Sequence, residues 1–214
     1  MKGFVLSFAA ILPFLAACGQ GPGAEKVRIP PELGEYSVAT FAGGCFWCME
    51  PPFERLDGVA EVISGYTGGP EKDPSYREVA YGKTGHTESV RVFFDPDQIG
   101  YEDLLAVYWR QIDPTDREGQ FVDRGAQYRP EIFVHSERQR ELAAEAKRSL
   151  AASGRFEEPI VVPITDAGAF YPAEEYHQDF YRTNPRRYEG YVKGSGRKDF
   201  LAEKWPGEET GGSR

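Results

Sequence analysis

The sequence predicts a single mixed α/β domain over residues 36–205, preceded by a short leader and a tether. The 214-residue chain is long enough to bury one core of ordinary size. Its 40% hydrophobic and 28% charged residues are typical of a globular protein and not of a disordered one. Strand-like and helix-like segments alternate with short links and without an internal repeat, which favours a mixed fold.

The first 18 residues are similar to the leader of a bacterial lipoprotein. Lys2 precedes an uncharged apolar run, 3–17, which is too short to span a bilayer comfortably and fits a secretory signal. The run ends in LAAC (15–18), similar to the lipobox that is cut before a lipidated cysteine. We therefore expect a signal peptide over 1–17 and a lipid on Cys18 that binds a membrane. Because Gly19 and not Asp follows Cys18, we expect the outer membrane, with the protein facing the periplasm.

Residues 18–35 are rich in Gly, Pro and charge, and we expect a flexible tether there. Beyond it, strands are predicted from alternation and from β-branched and aromatic content. These strands cover 36–42, 59–69, 88–96, 130–136 and 158–166. The end of the chain, 206–214, is expected to be disordered.

Helices are predicted from turn, capping and spacing signals. Gly43-Gly44 allows a tight turn before a helix start, which Pro51-Pro52 is expected to kink or restart. Ser136 and Gln139 form a capping-box pattern at the start of another helix. Apolar spacing predicts two further helices, over 101–111 and 172–181.

The formal net charge of -9 indicates solubility and argues against a nucleic-acid partner. No stretch of the chain collects Lys and Arg without acidic residues nearby. We expect a monomer.

Cys45 and Cys48 are the two thiols left once Cys18 carries lipid, and their spacing allows several chemistries. Zinc is disfavoured because there is no second Cys pair and the three histidines are scattered. A loop of three residues is too small to staple a whole domain. A Cys-x-x-Cys pair that follows a strand and opens a helix also suits a thiol–disulfide oxidoreductase, with thiolate stabilised at Cys45 by the helix N-terminus. Phe46 and Trp47 between the cysteines indicate instead a pocket for a small apolar group.

Four segments, taken in order, resemble one known family. GCFWCME (44–50), GHTE (85–88), DRGAQYR (123–129) and FYPAEEYHQDFY (170–181) are similar to motifs of the A-type peptide methionine sulfoxide reductases. The resemblance runs from the first strand to about residue 188. It implies a two-layer α/β sandwich related to the ferredoxin-like plait. This chain lacks the cysteines near the C-terminus that many members carry.

The residues suit this chemistry. Reduction of a sulfoxide needs a soft nucleophile, a proton donor and an apolar seat for the methyl group, and Cys45 at a helix start is the candidate nucleophile. The resemblance implies that Phe46 and Trp47 form the methyl-binding wall and that Glu88 is the acid. It further implies that Tyr76 and Tyr128 hold the sulfoxide oxygen and that Asp123 receives the substrate's backbone amide.

The expected function is reduction of the S epimer of methionine sulfoxide, in oxidised proteins and free, as repair after oxidative stress. A Cys45 sulfenic acid would be resolved by Cys48 and recycled by thioredoxin or a thioredoxin-like protein. No metal or organic cofactor is expected. Two alternatives remain open from the residues alone: a general Cys-x-x-Cys thiol–disulfide oxidoreductase, and a lipid-anchored binding module whose aromatic pair seats a ligand.

Overall fold

The computed structural model describes residues 25–207. The predicted signal peptide, Cys18 and residues 208–214 lie outside this range. Within 25–207, no helix is both long enough and apolar enough to cross a membrane.

A six-stranded sheet forms one layer of the domain. Its strand order is β7-β6-β1-β3-β2-β8, and β4 and β5 form a separate two-stranded hairpin. The strands are β1 Ser37–Ala42, β2 Val59–Thr67, β3 Thr87–Phe94, β4 Gly119–Gln120, β5 Asp123–Arg124, β6 Glu131–Val134, β7 Ile164–Asp166 and β8 Tyr171–Pro172.

Helices form the second layer and the C-terminal part of the domain. They are α1 Phe46–Glu54, α2 Tyr76–Ala80, α3 Tyr101–Trp109, α4 Glu137–Ala152, α5 Phe180–Thr183, α6 Pro185–Gly194 and α7 Arg197–Lys204. Short 3-10 helices cover Pro31–Glu35, Ala126–Tyr128 and Glu175–His177.

The centre of the sheet is a ferredoxin-like plait. β3 lies between β1 and β2 and pairs antiparallel with both, so that β1, α1 and β2 form a split unit. β6 follows α3 and pairs antiparallel with the other edge of β1. β7 extends the sheet in parallel with β6, and β8 pairs with the outer edge of β2. The predicted two-layer α/β sandwich is confirmed.

The main core lies between the helices and one face of the sheet. Because side chains alternate along a strand, Val90 and Val92 of β3 point into this core together with Phe41 of β1. Phe41 stacks against Phe53 of α1 at 5.2 Å and against Tyr108 of α3 at 5.0 Å. This packing holds α1 across the sheet, with its N-terminus above the start of β3.

The opposite face of the sheet is covered in part by residues that were expected to be a tether. Leu33 is buried against Ile63 and Phe93, with Ile29 packed beside them. Lys26 pairs with Asp73 at 2.6 Å, and its Nζ also donates to the Pro74 carbonyl. The expectation of a flexible segment is therefore wrong for residues 25–35, because these side chains complete an apolar surface that the sheet would otherwise expose.

Several predicted elements differ in extent. The strand expected over 158–166 forms only at Ile164–Asp166, since Pro159 and Pro163 cannot donate to a neighbouring strand. The helix expected over 172–181 is broken where Asp179 adopts a left-handed conformation, at φ 50°. α1 continues through Pro51-Pro52 to Glu54. Two C-terminal helices, α6 and α7, were not predicted.

Candidate active site

Two glycines bring the chain from β1 into α1. A Cβ at Gly43 would lie 2.6 Å from the Met49 sulfur and 2.7 Å from a methyl group of Ile112. Gly44 has φ +84°, which side chains rarely adopt, and a Cβ there would meet Gln120 at 2.7 Å. The turn therefore requires both glycines, and it delivers Cys45 to the N-cap of α1.

Cys45 and Cys48 lie side by side in the first turn of α1. Both are free thiols, and their residues are 7% and 3% exposed. The Cys48 amide donates to the Cys45 carbonyl at 3.0 Å, and each thiol shifts the pKa of the other. The two sulfur atoms are thus neighbours, as an exchange of one disulfide bond requires.

Burial raises the pKa of the Cys45 thiol well above its usual value, and the thiol of Cys48 and the carboxyls of Glu88 and Asp123 raise it further. We expected the helix N-terminus to favour thiolate at Cys45. Burial and the nearby acids outweigh that effect, and the resting Cys45 thiol holds its proton.

Glu88 lies against the start of α1. It is on the same side of β3 as Val90 and Val92, and it is 2% exposed. Its Oε2 accepts a hydrogen bond from the Phe46 amide at 3.1 Å. Burial raises the pKa of the carboxyl to about 8, although the Phe46 amide opposes the shift. Glu88 is therefore largely a neutral acid at pH 7, as a proton donor must be.

The predicted polar residues gather around this acid. Burial raises the pKa of Tyr76 to about 12, with Glu88 and Cys45 adding to the shift. The pKa of Tyr128 is raised by burial and by Glu88, Tyr76, Cys45 and Asp123. These mutual effects place the two phenols, both protonated at neutral pH, within electrostatic reach of Cys45 and Glu88. They can donate hydrogen bonds to an oxygen atom there.

Phe46 and Trp47, which we expected to form one wall together, differ in how far they are buried. Phe46 is fully buried, with its ring 6.0 Å from Tyr66 and 5.0 Å from His177, so it lies inside the protein in this conformation. Trp47 is only partly buried and stacks on Phe180 at 3.7 Å. Its Nε1 donates to His177 Nδ1 at 3.2 Å. Burial lowers the pKa of His177 to about 4, so the ring is neutral and Nδ1 can accept this bond.

Three residues outside the predicted set hold the site together. Glu174 is buried and accepts from the Tyr66 hydroxyl at 2.8 Å and from the Tyr76 amide at 2.9 Å. The Tyr191 hydroxyl donates to Asp123 Oδ2. Arg197 donates to the Gly43 carbonyl at 2.9 Å. Glu174 lies within the predicted FYPAEEYHQDFY motif, but Tyr191 and Arg197 lie beyond residue 188, where the sequence resemblance ended.

The fold and the site define a class of protein: a ferredoxin-like α/β enzyme in which a buried thiol adjoins a protonated carboxyl and two phenols. Such a site can deliver a sulfur nucleophile and a proton to one small polar group.

Comparison with known proteins narrows this class. The family model described as "Peptide methionine sulfoxide reductase" matches residues 37–209. The peptide methionine sulfoxide reductase MsrA of Listeria monocytogenes serotype 4b (strain CLIP80459) is 57% identical over 169 residues, 79% of this chain and 96% of the relative. MsrA of Bacillus licheniformis is 55% identical over 168 residues, 78% of this chain and 93% of the relative.

Two solved structures are similar in fold to this chain. Reduced Mxr1 from Saccharomyces cerevisiae superposes with a TM-score of 0.68 at 32% identity, over 74% of this chain and 90% of that one. Methionine sulfoxide reductase A of Corynebacterium diphtheriae gives 0.62 at 33%, over 72% and 78%. The chain belongs to the peptide methionine sulfoxide reductase family and is an enzyme of the A type. The match includes α6 and α7, beyond the point at which the motifs stopped.

Proposed function

We propose that the protein reduces the S epimer of methionine sulfoxide, free or within oxidised proteins, with Cys45 as nucleophile and Glu88 as acid. The observation that carries this proposal is that Glu88 is buried and accepts a hydrogen bond from the amide of Phe46, the residue that follows Cys45. The Cys45 sulfur takes the oxygen of the sulfoxide, while the sulfoxide sulfur leaves as a thioether. The balance is one thiol and one sulfoxide to one sulfenic acid and one methionine.

The proton of Glu88 allows the protonated Cys45 thiol to act as the nucleophile. The Glu88 proton passes to the sulfoxide oxygen, which makes the sulfoxide sulfur electrophilic. The Cys45 sulfur attacks that sulfur and gives its own proton to the Glu88 carboxylate. The hydroxyl then moves to the Cys45 sulfur as the bond between the two sulfurs breaks, which leaves the sulfenic acid and the thioether. Tyr76 and Tyr128 donate hydrogen bonds to the same oxygen. The partly buried Trp47 seats the methyl group, with Phe46 packed behind it. Asp123 accepts from the substrate backbone with the oxygen that Tyr191 does not use.

Cys48 completes the cycle. Its thiol attacks the Cys45 sulfenic acid, forms a Cys45–Cys48 disulfide and releases water. A thioredoxin-like dithiol then reduces this disulfide. The adjacent sulfur atoms support resolution by Cys48, and it is the remaining cysteine of the mature chain.

Burial argues against the two alternatives. A general thiol–disulfide oxidoreductase needs a thiolate nucleophile and no acid for an oxygen atom, whereas here burial raises the pKa of the Cys45 thiol and Glu88 lies buried against the start of α1. A binding module would gain nothing from a buried, protonated carboxyl next to a thiol, which costs stability. The test uses the lipid-free chain, residues 18–214 with Cys18→Ser, and dithiothreitol. We expect turnover of the S epimer and not of the R epimer, and equal turnover of both would contradict the proposal.

We further propose that Cys18 carries lipid and that the protein is held at the outer membrane facing the periplasm. The LAAC segment and the apolar run before it support this. The protein extracted from membranes should have an intact mass that begins at Cys18 and exceeds the polypeptide by a diacylglyceryl group or more. A protein that retains Met1, or is released without detergent, would contradict the proposal.

A further inference from the structure

Arg197 is a buried cation without a carboxylate partner. The residue is 3% exposed. Over residues 25–207, no Asp or Glu forms an ion pair with it, and its Nε has no hydrogen-bond partner there. Placing an unpaired guanidinium in the interior is costly, so a compensating group is expected nearby.

The hydrogen bonds of Arg197 lock it against the turn that presents the cysteines. One end of the guanidinium donates to the Gly43 carbonyl at 2.9 Å, and the other donates to the Gln111 carbonyl. The same Nη1 atom lies 3.8 Å from the sulfur of Met49, which adjoins Cys48 in α1. The plane of the guanidinium lies over the Phe121 ring, 4.7 Å from its centre. Two carbonyls and a ring orient this cation, and the carboxylate that feels its charge, Asp123, forms a hydrogen bond with Tyr191 and no ion pair with Arg197.

Cys48 is a second group that can carry the compensating negative charge. Cys48 and Arg197 line one cavity, between α1 and the two C-terminal helices. The interaction with the Cys45 thiol lowers the pKa of the Cys48 thiol, burial opposes this shift, and the charge of Arg197 lowers the pKa further. The titratable and charged groups that face Cys48 from the surrounding elements include Cys45, Glu88, Asp123, Tyr188, Tyr191 and Arg197, together with the exposed Arg55, Glu189 and Lys198 of the same cavity. Of the cations, Arg197 is the buried one, and its charge acts on the pKa of Cys48.

We propose that Arg197 is a positioning residue for the second half of the reaction: it holds Cys48 as the thiolate that resolves the Cys45 sulfenic acid. This rests on the proposed function, and it assigns a role to the helix α7. The Cys48 thiolate attacks the Cys45 sulfur, the sulfur–oxygen bond breaks, and the hydroxide that leaves takes up a proton to become water. No external oxidant or reductant is needed, because the sulfenic acid is the oxidant and the thiolate is oxidised.

One sample tests the reduction of the sulfoxide and the formation of the disulfide separately. The reduced lipid-free chain is mixed with one equivalent of a peptide that contains the S epimer, and methionine and free thiols are followed in time. In Arg197→Met we expect thiol loss to lag behind methionine formation by roughly tenfold or more at pH 7, as for removal of a nearby opposite charge. The pH at which disulfide formation is half-maximal should rise by about one unit or more. Arg197→Lys should restore much of both.

Lys198→Met is the matched control, because this neighbouring cation lines the same cavity but is exposed. It should leave the lag and the pH profile as in the parent chain. If Arg197→Met shows neither the longer lag nor the shifted pH profile, the inference is wrong. If the parent chain yields no methionine at all, the proposed function is wrong instead.

A second measurement does not depend on turnover. In a Cys45→Ser background, the rate at which iodoacetamide alkylates Cys48 is measured against pH, with and without Arg197→Met or Arg197→Gln. We expect the midpoint to move to higher pH when the charge is removed and to stay in place in Arg197→Lys. A purely structural role would raise alkylation at every pH and leave the midpoint unchanged, and that result would overturn the inference.

Discussion

Burial decides which acids at the start of α1 hold a proton. Glu88 is on the core side of β3, level with Tyr66 of β2, and its charged form would be supported by a single amide. Cys45 shares this enclosure and is protonated for the same reason. In the reaction that we propose, both groups therefore start neutral: Glu88 gives its proton to the sulfoxide oxygen, and Cys45 attacks the sulfoxide sulfur.

Glu88→Gln should slow the single-turnover reduction of sulfoxide by roughly 10²–10⁴-fold, the usual worth of a general acid. The amide keeps the shape and can donate a hydrogen bond, but it cannot deliver a proton. In the parent chain the single-turnover rate should fall as the pH rises through about 8, because the neutral form of Glu88 is lost. Glu88→Gln should lack this fall. A rate within threefold of the parent at pH 7 would contradict the assignment.

The sequence motifs could indicate these residues but not their protonation states. The alternation of β3 places Glu88 on the core side with Val90 and Val92, which is visible in the sequence. Its contact with the Phe46 amide requires α1 to lie across β3, and that depends on the stacking of Phe41 and Phe53. Arg197 follows a Gly-Ser-Gly segment with no periodic pattern before it, so its burial against Gly43 had no local signal.

At the scale of elements, α1 is anchored by a second buried carboxyl. Glu50 accepts from the Ser64 hydroxyl of β2 at 3.0 Å and from the Asp179 amide at 2.7 Å. Asp179 is the left-handed residue that breaks the helix expected over 172–181. Glu50 thus ties the helix of the cysteines to the sheet and to the segment that carries His177. Burial raises its pKa to about 8.

This raised pKa has a consequence for stability. The folded protein binds a proton at Glu50 that the unfolded chain releases above pH 4.5, so the carboxyl destabilises the fold increasingly from about pH 4.5 to about pH 8. Glu50→Gln removes the titration, while its amide oxygen can still accept from the Asp179 amide and its NH2 group can donate to the Ser64 hydroxyl. Urea unfolding should show little change at pH 5 and a gain of roughly 3–4 kcal/mol at pH 9. A difference that does not vary with pH would contradict this account.

The strands and helices that carry their own signal were predictable, and the others depend on tertiary contacts. β1, β2, β3 and β6 alternate or collect apolar residues, and Ser136 caps α4 by accepting from the Gln139 amide. The Gln139 side chain, however, bonds the His135 amide and the Val38 carbonyl and does not close the capping box. The two strands of the β4–β5 hairpin are two residues long each, which is too short to show the alternation of apolar and polar residues that predicts a strand.

At the scale of the whole molecule, residues 25–35 belong to the folded domain. Leu33 fills the second face of the sheet, and the Lys26–Asp73 pair fixes the segment beside α2. A chain that begins at residue 36 should therefore be less stable to urea than one that begins at residue 25, by about 2 kcal/mol or more. Leu33→Ala in the longer chain should lose a similar amount. Equal midpoints for the two chains would contradict this packing.

We expect one sulfoxide to consume the thiols of both Cys45 and Cys48. The reduced lipid-free chain is treated with one equivalent of a peptide carrying the S epimer and with no reductant, and methionine, free thiols and the peptide map are measured. We expect one methionine per chain, a fall from two free thiols to none and a Cys45–Cys48 disulfide, while Cys45→Ser forms no methionine and Cys48→Ser stops at a sulfenic acid. Methionine formed by Cys45→Ser, or a parent chain that keeps one free thiol after the reaction, would contradict the account.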